Sequence, residues 1–274
     1  MSVAIITDSA AALPRELEVR YGILIVPMWL TVRGEPELEG ARPLEELVRQ
    51  DQVTTSAPTP GEFEGAIKDA LRTHDTALVL TIASSMSATH GSAVVAAQSV
   101  GGDVRVVDTE SAGGAEALVV LAAAEIATGG GSIDQVEARA RVVIERVRLV
   151  ATLSSLDHLV RSGRVPGIAG WAGRRLGINP LFEFRAGAVR RLRPALSQDA
   201  ALDRIEAMVR RTRPDGGSRL HVAVLHALAV DVAGELLERV RAFEPATEFV
   251  GEFGPVMVVH TGAGLAGLAW WWES

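Results

Sequence analysis

Three loops concentrate hydroxyls and acids: Thr7-Asp8-Ser9, the run Ser84-Ser85-Met86-Ser87-Ala88-Thr89, and Asp108-Thr109-Glu110-Ser111. Each follows a short apolar run, so each can cap a following helix, because Ser, Thr and Asp are the preferred capping residues. The same groups can also hold an anion, where a helix N-terminus adds its positive end to a hydroxyl. Two of the loops carry carboxylates, which repel an anion, and the middle one carries none. Ser87, at the start of a predicted helix, is therefore the better placed anion ligand. Of the six histidines, His74, His90, His158, His221 and His226 sit in helical or strand-like patterns without paired metal-ligand spacing. His260 differs. It follows the apolar run Val256 to Val259 and opens His260-Thr261-Gly262-Ala263-Gly264, where glycines let backbone approach a ligand closely. On spacing alone it stays open whether His260 is structural or a ligand contact.

Absences narrow the chemistry. There are no cysteines, which removes thiol nucleophiles, disulfides and thiolate zinc sites. Lys68 is the only lysine and Tyr21 the only tyrosine, so Schiff-base and Tyr/Lys relay chemistry have no candidates. No Walker lysine motif occurs, and the triple glycine 129–131 follows a helical pattern, so nucleotide binding is not signalled. A G-x-S-x-G nucleophile elbow is also missing. With 48% hydrophobic and 22% charged residues and a net charge of -7, the chain reads as globular, with no basic surplus for nucleic acid. No stretch of 18 apolar residues occurs, and Met1 to Leu13 has neither a basic start nor a long apolar core. The expectation is a cytoplasmic protein without stable membrane insertion.

The elements that must position these residues follow from hydrophobic patterning. Val3 to Thr7, Ile23 to Val32, Ala77 to Ile82 and Val104 to Val107 read as buried parallel strands. A helical stretch to Tyr21, then Gly61 to Thr73, Ser87 to Val100 and Ser111 to Ala127, read as the helices around them. Ser132 is placed to cap a helix over Ile133 to Val147. This half reads as an α/β doubly wound parallel-sheet domain. Beyond a boundary near Leu149, the pattern predicts a strand over Val150 to Leu153, a short helix around Leu156 to Arg161 and a Gly-rich connector. Strands at Leu181 to Phe184, Ala188 to Leu192, Leu220 to His226, Thr247 to Val250 and Val256 to Val259 follow, with helices Asp199 to Arg211 and Asp231 to Ala242. The result is an N-terminal domain over 1–148 and a smaller α+β C-terminal domain with a mixed sheet over 149–274.

Taken together and in order, eight blocks resemble one known family. They are TDSAAALP from Thr7, TTSAPTPGEF from Thr54, IASSMSATHGSA from Ile82, VVDTESAG from Val106, LDHLVRSGRV from Leu156, INPLFEF from Ile178, VRRLRPA from Val189 and HTGAG from His260. This order and spacing resemble the DegV family, the fatty-acid-binding subunits of bacterial fatty acid kinase, over nearly the whole chain. The sequence departs from the family pattern at Ala57, Ala88 and Ala263.

The resemblance implies a long-chain fatty acid buried in a tunnel between the two domains, with no other cofactor and no metal. It implies that Thr55, Ser87 and His260 surround the carboxylate, and that Arg164 and Arg193 lie at the rim or partner surface. It also implies a separate, dihydroxyacetone-kinase-like subunit that phosphorylates the carboxylate, leaving this chain without catalytic residues of its own. The alternative on the same residues is a Ser/His acyl hydrolase acting on a lipid ester through Ser87 and His260. A sixteen-carbon chain buries about 14 methylenes at about 0.8 kcal/mol each, so apolar burial dominates affinity while the headgroup contacts set identity.

Overall fold

The computed structural model describes residues 2–48, 50, 52–153, 155–165 and 179–274. Strand β1 (Val3–Asp8) is buried along its whole length, and its side chains alternate between two cores. Val3 and Ile5 enter one, Ala4 and Ile6 the other, as in a strand covered on both faces. β1 pairs in parallel with β2 (Leu24–Val26) and with β6 (Thr76–Thr81), and β6 pairs in parallel with β7 (Val104–Asp108). The sheet order is β2-β1-β6-β7. On one face lie α3 (Pro60–Ala70) and α4 (Thr89–Val100), through Phe63, Ile67, Ala93 and Ala96. On the other lie α5 (Gly114–Thr128) and α6 (Ile133–Arg146), which is the doubly wound arrangement. Ser132 caps α6 as expected, in a capping box with Gln135.

Helix α5 is buried continuously from Gly114 to Ala124 because sheets flank it on both sides. It touches β1 and β6 of the parallel sheet, and also β11 (Arg219–His226) and β13 (Ala266–Glu273) of a second sheet. Small residues make this approach possible. A Cβ at Gly114 would stand 2.7 Å from the Ala223 side chain. The second sheet is mixed, in the order β10-β9-β8-β13-β11-β12, with β8 (Arg148–Thr152), β9 (Leu181–Arg185), β10 (Ala188–Arg191) and β12 (Thr247–Glu252). Only β11 and β12 run parallel within it. Its outer face is covered by α8 (Gln198–Arg211) and α9 (Val230–Arg241) through Leu202, Ile205, Leu236 and Val240.

Three sequence expectations are corrected. The run Ile23 to Val32 is two strands, because Pro27 has no N–H to continue a ladder. After it, β3 (Trp29–Val32) leaves the parallel sheet and joins β4 (Glu35–Leu38) and β5 (Val53–Ser56) in a separate antiparallel sheet, order β4-β3-β5. Val256 to Val259 is not a strand but part of α10 (Pro255–Thr261), which Gly254-Pro255 starts. Proline suits the first helical position, and periodicity cannot tell a short apolar run in a helix from one in a strand. Finally, β13, flanked by β8 and β11, went unread; its small residues and three tryptophans lack a strand-like alternation. The Gly-rich connector and Ile178 lie outside the described residues.

Candidate functional site

A cavity of about 540 Å³ lies between the C-terminal edge of the parallel sheet and the inner face of the mixed sheet. That volume is in the range of small-molecule sites. Its deep walls are apolar. Leu149 and Ala151 on β8 face Phe184 and Phe182 on β9 in cross-strand register, and Leu225, Phe253 and Leu265 complete that wall. Ile82 and Ala112 close the side toward the parallel sheet. The loop after β6 supplies Ser84 to Ala88, and α10 supplies Val256, Met257, His260 and Thr261.

Three of the residues expected to hold a headgroup stand on this lining: Thr55, Ser87 and His260, all half-buried. Thr55 is on β5, whose register with β3 places it opposite Leu30. His260 is in the last turn of α10, which packs against β5 and β3 and against α7 (Asp157–Ser162). Thr55 Oγ1 and His260 Nε2 are 2.7 Å apart, a hydrogen bond. Burial, and secondarily the Arg164 guanidinium, push the His260 imidazolium down to about 4, so the ring is neutral at pH 7. Ser87 Oγ is 2.8 Å from Thr89 Oγ1 and accepts from the Thr89 N–H at 3.3 Å. Ser87 thus bonds to the first residue of α4 and also lines the cavity, while the cap position itself, Ala88, has no side-chain cap. Among the described residues no hydrogen bond joins Ser87 to His260, so the nucleophile-base pair of an acyl hydrolase is not formed.

Arg164 is exposed, donates from Nη1 to the Ser162 carbonyl at 2.7 Å, and lines the mouth of the cavity. Arg193 is not brought to this lining; it is exposed on the segment after β10, where its carbonyl accepts from Arg204 Nη1 at 2.5 Å.

A second cleft of about 430 Å³ adjoins the first and shares Thr55, Ser162, Arg164 and His260 with it. His158 and Arg161 of α7 add to its wall, and no Asp or Glu is among the described residues lining either cavity. Thr55 and His260 thus stand where an apolar chamber meets a basic cleft. Sequence patterning places His158 among the structural histidines and gives Arg161 and Ser162 no role in a site, although the i, i+3, i+4 spacing of the three puts them on one helix face. The Gly262 backbone packs on His158, where a Cβ would stand 2.7 Å from Cδ2.

The two acid-bearing loops have a different task, anchoring the acid-free one. Asp8 accepts from the N–H of Ile82 at 2.9 Å and of Ala10 at 3.0 Å. Asp108 accepts from the Ser84 N–H at 3.1 Å, and Ala83 N–H donates to the Ser111 carbonyl at 2.7 Å. Behind them Thr7 Oγ1 donates to Glu116 Oε1 at 3.2 Å. Desolvation pushes Asp8 up to about 7 and Glu116 well above the usual carboxylate range. The Asp8 charge adds to the rise at Glu116, whose Oε2 is buried with no hydrogen-bond partner among the described residues.

Comparison with known proteins gives a consistent result over the full length. A DegV domain-containing protein of Mycobacterium tuberculosis is 33% identical over 274 residues, covering 98% of this chain and 96% of the relative. A DegV family protein from Thermus thermophilus, described as binding fatty acid, superposes with a TM-score of 0.92 at 28% identity, over 99% of both chains. Bacillus subtilis DegV, described as a fatty acid binding protein, does so with a TM-score of 0.84 at 25% identity, over 100% of both chains. The DegV family model, described as that of an uncharacterised protein, matches residues 2–273, and this chain belongs to the DegV family.

Proposed function

We propose that this chain binds one long-chain fatty acid, with the acyl tail in the apolar chamber and the carboxylate at its junction with the basic cleft. In this scheme residues 1–148 and 149–274 are the two domains that enclose it. The observation that carries the reading is the Thr55–His260 pair, held at 2.7 Å on the boundary between an apolar cavity and a cleft with no carboxylate among its described lining residues. Neutral His260 donates from Nε2–H to Thr55 Oγ1, which turns the threonine O–H toward the ligand. Ser87 donates a second hydrogen bond, and the Arg164 charge offsets the desolvation of the anion. Burial of about 14 methylenes contributes roughly 11 kcal/mol before ordering costs. The fatty acids named for the Thermus and Bacillus relatives support the same ligand class here.

The exposed side of the carboxylate faces the basic cleft, and there a separate, dihydroxyacetone-kinase-like subunit with ATP would complete the reaction. A carboxylate oxygen attacks the terminal phosphorus of ATP, the bond to the bridging oxygen breaks, and ADP leaves, giving an acyl phosphate. The reaction takes place in the cytoplasm. Among the described residues no helix is long and apolar enough to cross a membrane. The test is to incubate the lipid-loaded protein with its cognate kinase subunit, ATP and magnesium, and to trap the product with hydroxylamine. A hydroxamate formed only with both proteins is expected. Its formation by this chain alone would overturn the division of labour, and none with both would remove the kinase reading.

A further inference from the structure

Glu39, on the segment after β4, is half-buried and joins three separate parts of the chain. Its Oε1 accepts from the Val256 N–H at 3.0 Å, its Oε2 accepts from Ser9 Oγ, and its own N–H donates to the Met28 carbonyl at 3.1 Å. Ser9 Oγ in turn accepts from the Met28 N–H at 3.1 Å. These contacts bear on the site because of what each partner carries. Ser9 directly follows β1, Met28 lines the acyl cavity and leads into β3, and β3 pairs with the strand that bears Thr55. Val256 is the second residue of α10 and lies one turn before His260 on the same face.

Helix α10 has a particular need for such a partner. It is only seven residues long, Pro255 at its first position has no N–H, and Gly254 before it supplies no side-chain cap. The Val256 N–H is the first donor left over, and a carboxylate there also suits the positive end of the helix. Gly254 makes room, since a Cβ on it would stand 2.3 Å from Glu39 Oε1. Among the described residues no cation pairs with Glu39, so its acceptors are committed to Ser9 and Val256. Burial pushes its carboxyl above the usual range, and those same donors limit the rise because they favour the charged form.

Building on the reading of the Thr55–His260 pair as the carboxylate contact, we propose that Glu39 is the positioning residue that ties α10 to the β3–β5 sheet, and so fixes His260 against Thr55. The preference for an acid over a neutral lipid then depends on a side chain outside the cavity lining. A Glu39 substitution accordingly changes headgroup recognition far more than it changes burial of the tail, because Glu39 meets Met28 and Val256 through their backbone and leaves their side chains in place.

The experiment measures the affinity of palmitoleic acid and of palmitoleyl alcohol for wild type, Glu39→Ala, Glu39→Gln, Ser9→Ala, His260→Ala and the Glu39→Ala/His260→Ala double variant. Glu39→Ala is expected to weaken acid binding about tenfold, as for one hydrogen bond to a charged group, with alcohol binding unchanged. Glu39→Gln keeps an oxygen for Val256 and recovers most of the loss. In the His260→Ala background Glu39→Ala adds no further loss, because it acts through the imidazole. Should Glu39→Ala fail to fold, Ser9→Ala frees one end of the same carboxylate and carries the same expected selective loss. Equal weakening of acid and alcohol, or no weakening of the acid, would overturn the assignment of Glu39 alone. A wild type that binds acid and alcohol equally would overturn the headgroup reading and Glu39 with it.

Discussion

Thr55 and His260 lie 205 positions apart in the chain and 2.7 Å apart in space. Their identities were legible in the sequence through the T-S and H-T-G blocks, but their pairing was not, because it depends on α10 crossing over to β5. With Thr55 and Ser87 each donating one hydrogen bond to the charged group and His260 holding the Thr55 hydroxyl in place, Thr55→Ala, Ser87→Ala and His260→Ala should each cost about 1.5 to 3 kcal/mol of acid affinity. Thr55→Ser keeps the hydroxyl and should bind near normally. Titration with a labelled fatty acid checks this, and unchanged affinity in all three alanine variants would place the headgroup elsewhere. Asp8 and Glu116 belong to the same scale. A carboxyl whose folded pKa is raised stabilises the fold fully below its unfolded value, 3.8 for Asp8, and loses that contribution as pH rises through the folded value of about 7. Glu116, raised well above its ordinary range, extends the loss to higher pH. Glu116→Gln can still accept from Thr7 without titrating. Its melting temperature should fall less than that of wild type between about pH 5 and pH 8. A wild type more stable at the higher pH would contradict the buried-acid assignment.

Among the elements, those with clear periodicity were legible and those defined by partners were not. β1, β6 and α6 announce themselves by continuous apolar runs or by a capping serine. β3, β4 and β5 form a small sheet whose burial alternates or is mostly lost, so no strong local pattern marks it. α10 hides as four consecutive apolar residues, and only Gly254-Pro255 signals a helix start. Because β8 and β9 line the chamber, a larger side chain there should shorten the ligand. Ala151 is opposite Phe182 and lines the cavity. Ala151→Leu adds three carbons to that wall and should shift the bound acyl chain about two to three methylenes shorter, each worth about 0.8 kcal/mol. Mass spectrometry of lipid retained by the variant reads this directly, and an unchanged chain-length profile would remove β8 from the tail path.

At the scale of the whole molecule, one hydrophobic core runs from β1 across α5 to β8 and β11, so the chamber lies between halves that already share packing. The two-part fold was legible because the periodicity changes character near Leu149; the shared core was not, since α5 is apolar on every side and names no single partner. A ligand held between the halves binds only the folded chain. At a hundredfold excess over its dissociation constant it should stabilise by about 2.7 kcal/mol. Removing it should then lower the melting temperature by roughly 5 to 10 °C, recoverable by added palmitate or oleate. The most direct test of the central claim is to purify the protein from a bacterial host, extract it with organic solvent and identify what is released by mass spectrometry. A fatty acid of about 14 to 18 carbons, near one per chain, is expected from the methylene burial. A protein that is empty, and that also fails to take up added palmitate or oleate, would contradict it.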